Sequence, residues 1–163
     1  MTASSLQLKR SPWSTITILT LGFWLSSSLV LDWVIIPSLY VSGMMAQTGF
    51  ASASYLIFWN FNRIELLCAA LVVTGVLVLD TQLAIINWRR GAIVLSLLLL
   101  AVALVDTYFL TPQMCAAGLQ LNLFEATKMS ATMTQLHTGY WVLEAMKLVA
   151  GGTLLGWCFR QQN

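Results

Sequence analysis

Seven ionisable side chains lie in or beside long apolar runs of this chain: Asp32, Arg63, Glu65, Asp106, His137, Glu144 and Lys147, with Tyr140 among them. Four are carboxylates, and a carboxylate surrounded by hydrocarbon does one of two things. It pairs with a cation to hold the structure together, or it takes up a proton, an ion or a small ligand. Pairing is readily drawn here: Asp32 or Glu65 with Arg63, and Glu144 with Lys147 one helical turn on. Two fixed cations do not balance four acids, however, and His137 adds at most one more positive charge. The excess of acid fits a ligand, proton or ion site. Both readings stand at this level.

His137 is the only histidine. It precedes Glu144 by seven residues, so the two share one helical face with Tyr140 between them. Met129, Met133 and His137 recur every four residues and lead towards Tyr140 and Glu144. Thioether and imidazole ligands suit Cu(I), while the same spacing equally serves ordinary helix packing. Haem held through His137 is a further, weaker reading. Motifs for other chemistry are missing: there is no H-E-x-x-H, no Glu-x-x-His pair, no C-x-x-C and no phosphate-cradling glycine loop. Ser26, Ser27 and Ser28 have no histidine near them in sequence. The chain reads as a non-enzyme.

The elements that position these residues follow from composition. Of 163 residues, 58% are hydrophobic and only 9% charged, with a mean hydropathy of +0.80. Eight basic and six acidic residues cannot cover a soluble domain of this size. The net charge of +2 offers no basic stripe for nucleic acid. The expected partner is the lipid bilayer. Crossing its hydrocarbon core takes about 20 apolar helical residues, and four stretches qualify: about 15–40, 56–79, 91–111 and 135–158. The expected fold is an all-α integral membrane protein, a four-transmembrane-helix bundle in one domain, 1–163. Its outer loops span about 41–55 and 112–134.

Lys9, Arg10, Arg89, Arg90 and Arg160 fall on one side of this model and Lys128 in a loop on the other. That bias places both termini in the cytoplasm, for a bacterial inner membrane or a thylakoid. The first apolar run is too long for a signal peptide and no A-x-A-like site follows it, so it reads as a retained span. Cys68, Cys115 and Cys158 fall at three depths, which argues against pairing within one chain.

The halves resemble each other. Asp32 precedes Pro37 in the first span, and Asp106 precedes Pro112 in the third. Phe61 precedes Glu65 by four residues in the second, as Tyr140 precedes Glu144 in the fourth. This predicts two parallel two-helix repeats. At 1.5 Å per residue, Asp32 and Asp106 sit about 8–9 Å below their prolines and Glu144 about 13 Å below Gln135. The acids thus gather in the outer half, and the inner half has no ionisable group until Asp80.

The first span closing on Trp-Val-Ile-Ile-Pro37, and the last opening Gln-Leu-His137 with Trp141 and Glu144 beyond, resemble the transmembrane-protein-205-like family. That family is also described as domain of unknown function 4149, within a copper-resistance-D-like group that includes a haem-pathway protoporphyrinogen oxidase. The resemblance runs from about Thr15 to Trp157. It implies a four-helix membrane bundle of largely unassigned role, with Pro37 and His137 as family positions. Tyr140 and Glu144 depart from the Ser or Asn that members tend to carry after this histidine. The leading expectation is a non-enzymatic membrane protein whose outer-half cluster binds or passes a cation or small ligand. The alternative is an accessory or assembly subunit of a larger photosynthetic or respiratory membrane complex, with other membrane-protein subunits as partners and the cluster purely structural.

Overall fold

The structure, a computed structural model, describes residues 12–44, 47, 49–82, 86–114, 116 and 131–160. Its elements are helices, with no strand among the described residues. Helix α1 covers Pro12–Val41, α2 Phe50–Gln82, α3 residues 86–114 and α4 Ala131–Arg160. Within them lie four segments long and apolar enough to cross a membrane: Pro12–Val41, Ser52–Leu79, Arg90–Met114 and Gln135–Arg160. These contain the four expected stretches and extend most of them by a few residues. Most of loop 112–134 lies outside the described residues, as do Cys115 and Met129.

Local chemistry explains the helix ends. Pro12 opens α1, where a residue without an N–H costs no intrahelical bond. Gly43 stops the chain at φ +70°, a conformation that glycine adopts without penalty. Inside α1 and α3 the helix widens for one turn, at Leu31–Ile35 and at Asp106–Leu110. The N–H of Ile36 reaches back five residues to the carbonyl of Leu31, and that of Thr111 to Asp106. In both cases the next residue is a proline. A proline ring crowds the carbonyl four residues back, here Trp33 and Tyr108, and the widened turn relieves that crowding without breaking the helix.

Each helix packs against its neighbours in sequence, and α4 closes the ring on α1; among the described residues the backbones of the diagonal pairs, α1 with α3 and α2 with α4, stay apart. Gly75, Gly91 and Gly151 set close approaches, Gly91 against the ring of Trp157. A Cβ at Gly75 would collide with the Thr17 hydroxyl, and one at Gly151 would lie 2.8 Å from Leu25 Cδ2. The core that results contains Leu21, Trp24, Val72, Val76, Leu99 and Leu154. Outward faces carry Leu19, Trp33, Leu67, Val94 and Val149, all exposed. An apolar outside around a core holding buried carboxylates inverts the soluble pattern and matches a lipid-facing surface.

Candidate functional site

Five ionisable groups meet inside the bundle, towards the end where α1 turns into α2 and α3 leads into α4. Asp32, Glu65, Asp106, Glu144 and Lys147 are each 4% exposed or less. Four of them come from stripes of buried residues at three- and four-residue spacing. Thr17, Leu21, Trp24, Ser28 and Leu31 form the stripe on α1; Ala92, Ser96, Leu99, Ala103 and Asp106 form it on α3. On α2 and α4 the stripes run Glu65, Cys68, Val72, Gly75, Leu79 and Glu144, Lys147, Gly151, Leu154, Cys158. Helical periodicity alone therefore turns Glu65, Asp106 and the Glu144–Lys147 pair inward. Asp32 follows Leu31 and is buried beside it, facing α4.

Lys147 sits at the centre. Its Nζ lies 2.5 Å from Glu65 Oε1 and 2.6 Å from Glu144 Oε2. Glu65 Oε1 also accepts hydrogen bonds from Trp24 Nε1 at 2.9 Å and Ser28 Oγ at 3.1 Å. Tyr140 donates its hydroxyl to Asp32 Oδ1 at 2.5 Å, and Asp32 also neighbours Glu144. Nearer the helix ends, Asn62 Nδ2 donates to Thr111 Oγ1 at 2.7 Å. Asp106 lies within electrostatic range of Lys147, Glu65 and Asp32. Two of the acids are left short. Asp106 Oδ1 and Glu144 Oε1 are buried without a hydrogen-bond partner, and Glu144 Oε2 meets Lys147 as an ion pair out of hydrogen-bonding alignment.

Two residues anticipated in this cluster lie outside it. Arg63 is exposed, with its guanidinium 4.6 Å from the centre of the Trp59 ring. Glu65 takes Lys147, Trp24 and Ser28 as partners in its place. His137 is exposed on the first turns of α4. The Met129–Met133–His137 stripe cannot be followed further, because Met129 and the side chain of Met133 fall outside the described residues. Among the described residues, no group of three or more His, Cys, Asp or Glu is arranged to hold a metal ion. Cys68 and Cys158 are buried free thiols. Sequence reasoning missed Trp24 and Ser28. Their signal was positional: they stand seven and three residues before Leu31 on the same α1 stripe.

The fold and this cluster define a four-helix bundle with the dimensions and surface of a membrane protein and a carboxylate-rich interior. No family model, curated protein or solved structure matches the chain. Its functional reading therefore stands on the cluster.

Proposed function

We propose that the protein is a non-enzymatic integral membrane protein whose buried carboxylate–lysine cluster binds a monovalent cation, a proton included. The charge count supports it: four buried carboxyls face one buried ammonium. With every group ionised, three negative charges would be uncompensated in a place where each costs several kcal/mol. A purely structural network would have no need of the extra acids. The ligand reaches the cluster from the end where Tyr140 and Asn62 lie. Below Glu65 the core is closed by Val72, Val76, Leu99 and Leu154, so this arrangement favours binding over passage. The loop bias in Lys and Arg supports cytoplasmic termini, with the cluster towards the opposite face of the membrane.

The test is a thermal melt of the purified protein in mild detergent. Sodium, potassium and lithium are titrated at fixed pH, and pH is varied at fixed salt. A ligand present at 100 times its Kd adds about 2.7 kcal/mol, or roughly 5–11 °C for a chain of this size. The expected result is a melt that responds to one cation or to pH in the wild type and responds far less in Glu144→Gln. A melt unaffected by every cation and by pH overturns the proposal and leaves the cluster as internal glue.

A further inference from the structure

The two widened turns provide a register for comparing the halves. Placing Leu31–Ile35 on Asp106–Leu110 also places Pro37 on Pro112. The α1 stripe Thr17, Leu21, Trp24, Ser28 and Leu31 then falls on the α3 stripe Ala92, Ser96, Leu99, Ala103 and Asp106. In the same way Glu65, Cys68, Val72, Gly75 and Leu79 fall on Glu144, Lys147, Gly151, Leu154 and Cys158. In this register the halves differ where the chemistry is. Trp24 and Ser28, the donors to Glu65, correspond to Leu99 and Ala103, which have nothing to donate to Glu144. Asp32 corresponds to Thr107, whose hydroxyl is returned to its own helix at Ala103 O. Asp106 corresponds to Leu31. A shift of one residue turns a side chain by about 100° around the helix, so the α3 acid does not take the orientation that brings Asp32 to Tyr140.

We infer that the cation is a proton, and that it exchanges on the α3–α4 carboxyls Asp106 and Glu144 while the α1–α2 carboxyls Asp32 and Glu65 stay as fixed acceptors. The inference rests on the reading of the cluster as a cation site. The two acids of the second half hold the buried oxygens that lack hydrogen-bond partners, Asp106 Oδ1 and Glu144 Oε1. Those of the first half are held by Tyr140, Trp24, Ser28 and Lys147. A proton satisfies a lone carboxylate by a single O–H bond. A metal cation needs several ligands around it, and among the described residues no three His, Cys, Asp or Glu side chains are arranged to supply them. The groups facing the exchanging acids are Asp32 on α1, Glu65 on α2, and Tyr140 and Lys147 on α4. Uptake converts Asp106 or Glu144 from carboxylate to carboxylic acid, the proton coming from water at the Tyr140 end. Loss reverses the step, and Lys147 keeps its charge throughout.

Infrared difference spectroscopy of the whole protein in detergent, stepped in pH, reads protonated carboxyl bands directly. The expected wild-type result is a carboxylic C=O band that disappears as pH rises, with at least half its amplitude lost in Asp106→Asn or Glu144→Gln. Asp32→Asn and Glu65→Gln should leave the band in place. A band that survives both α3–α4 substitutions and vanishes in Asp32→Asn or Glu65→Gln overturns the assignment while preserving the cation-site reading. If no carboxyl band titrates and the melt still responds to a metal cation, the ligand is not a proton and the inference fails alone. If neither responds, both fail. Asp106→Leu adds a check that does not depend on spectra, because leucine is what the first half carries at this place. It should melt no lower than the wild type, and a drop of more than about 5 °C would mean that Asp106 is a structural tie.

Discussion

Replacing Glu65 or Glu144 by leucine should have very different consequences, although the two acids share one lysine and equal burial. Glu65→Leu removes the acceptor of three donors. Trp24 Nε1 is left buried without a partner, at about 1–3 kcal/mol. Ser28 loses little, since its hydroxyl turns back to the carbonyl four residues earlier. Lys147 keeps Glu144 but loses its 2.5 Å bond, a charge-assisted contact of about 1.5–3 kcal/mol. The total, about 2.5–6 kcal/mol, lowers the melting temperature by roughly 5–24 °C. Glu144→Leu removes an acid with an oxygen already unpartnered, leaves Lys147 on Glu65 and nearly conserves volume. Its cost should stay within about 1 kcal/mol. Glu65→Gln, which keeps an acceptor for Trp24, should fall between them. Melting curves in one detergent, at a pH near neutral, decide the matter. Equal deficits for the two leucine variants would refute the asymmetry, and a larger loss for Glu144→Leu would reverse it.

Tyr140→Phe should cost about 1.5–3 kcal/mol by the same melt, because it removes a half-buried hydroxyl from a buried carboxylate; unchanged stability would show that Asp32 has another donor. Gly75→Ala should destabilise by about 1–3 kcal/mol through the clash with Thr17, and Thr17→Ala in the same chain should recover most of the loss. Without that recovery, the close approach of α1 and α2 is not set at this pair. Reporter fusions at both termini should score as cytoplasmic, and a signal from the opposite side at either end would overturn the orientation drawn from the basic residues.

The four long apolar helices were legible because length and apolarity alone decide them, and their ends moved by only a few residues. Glu144 and Lys147 were legible as a pair because three residues make about one helical turn. The second partner of Lys147 was not: Glu65 is 82 residues away, and only the packing of the ring joins them. Arg63 shows the opposite case. It stands two residues before Glu65, about 200° around the helix, and so could not share the inward face with it; the periodicity already carried that answer. His137 does share the face of Glu144 but lies beyond the packed part of the bundle, a matter of depth on which spacing is silent. The widened turns left only the Asp–Pro spacing as their trace, because a proline predicts crowding without choosing between a kink and a π turn.

The apolar closure beneath Glu65 has an electrical consequence. In a bilayer, most of the potential drop would fall across that dry layer and a smaller part across the approach to the acids. With Asp106 about 9 Å inside a hydrocarbon core of about 30 Å, a proton reaching it crosses about a third of the field. A full crossing is worth about 2.3 kcal/mol per 100 mV. The partial one is worth about 0.7 kcal/mol per 100 mV, equivalent to about half a pH unit. Occupancy of the acids would thus follow voltage as well as pH, so that a change in membrane potential loads or empties the site at constant external acidity. A single closed end would then make the bundle an ion well.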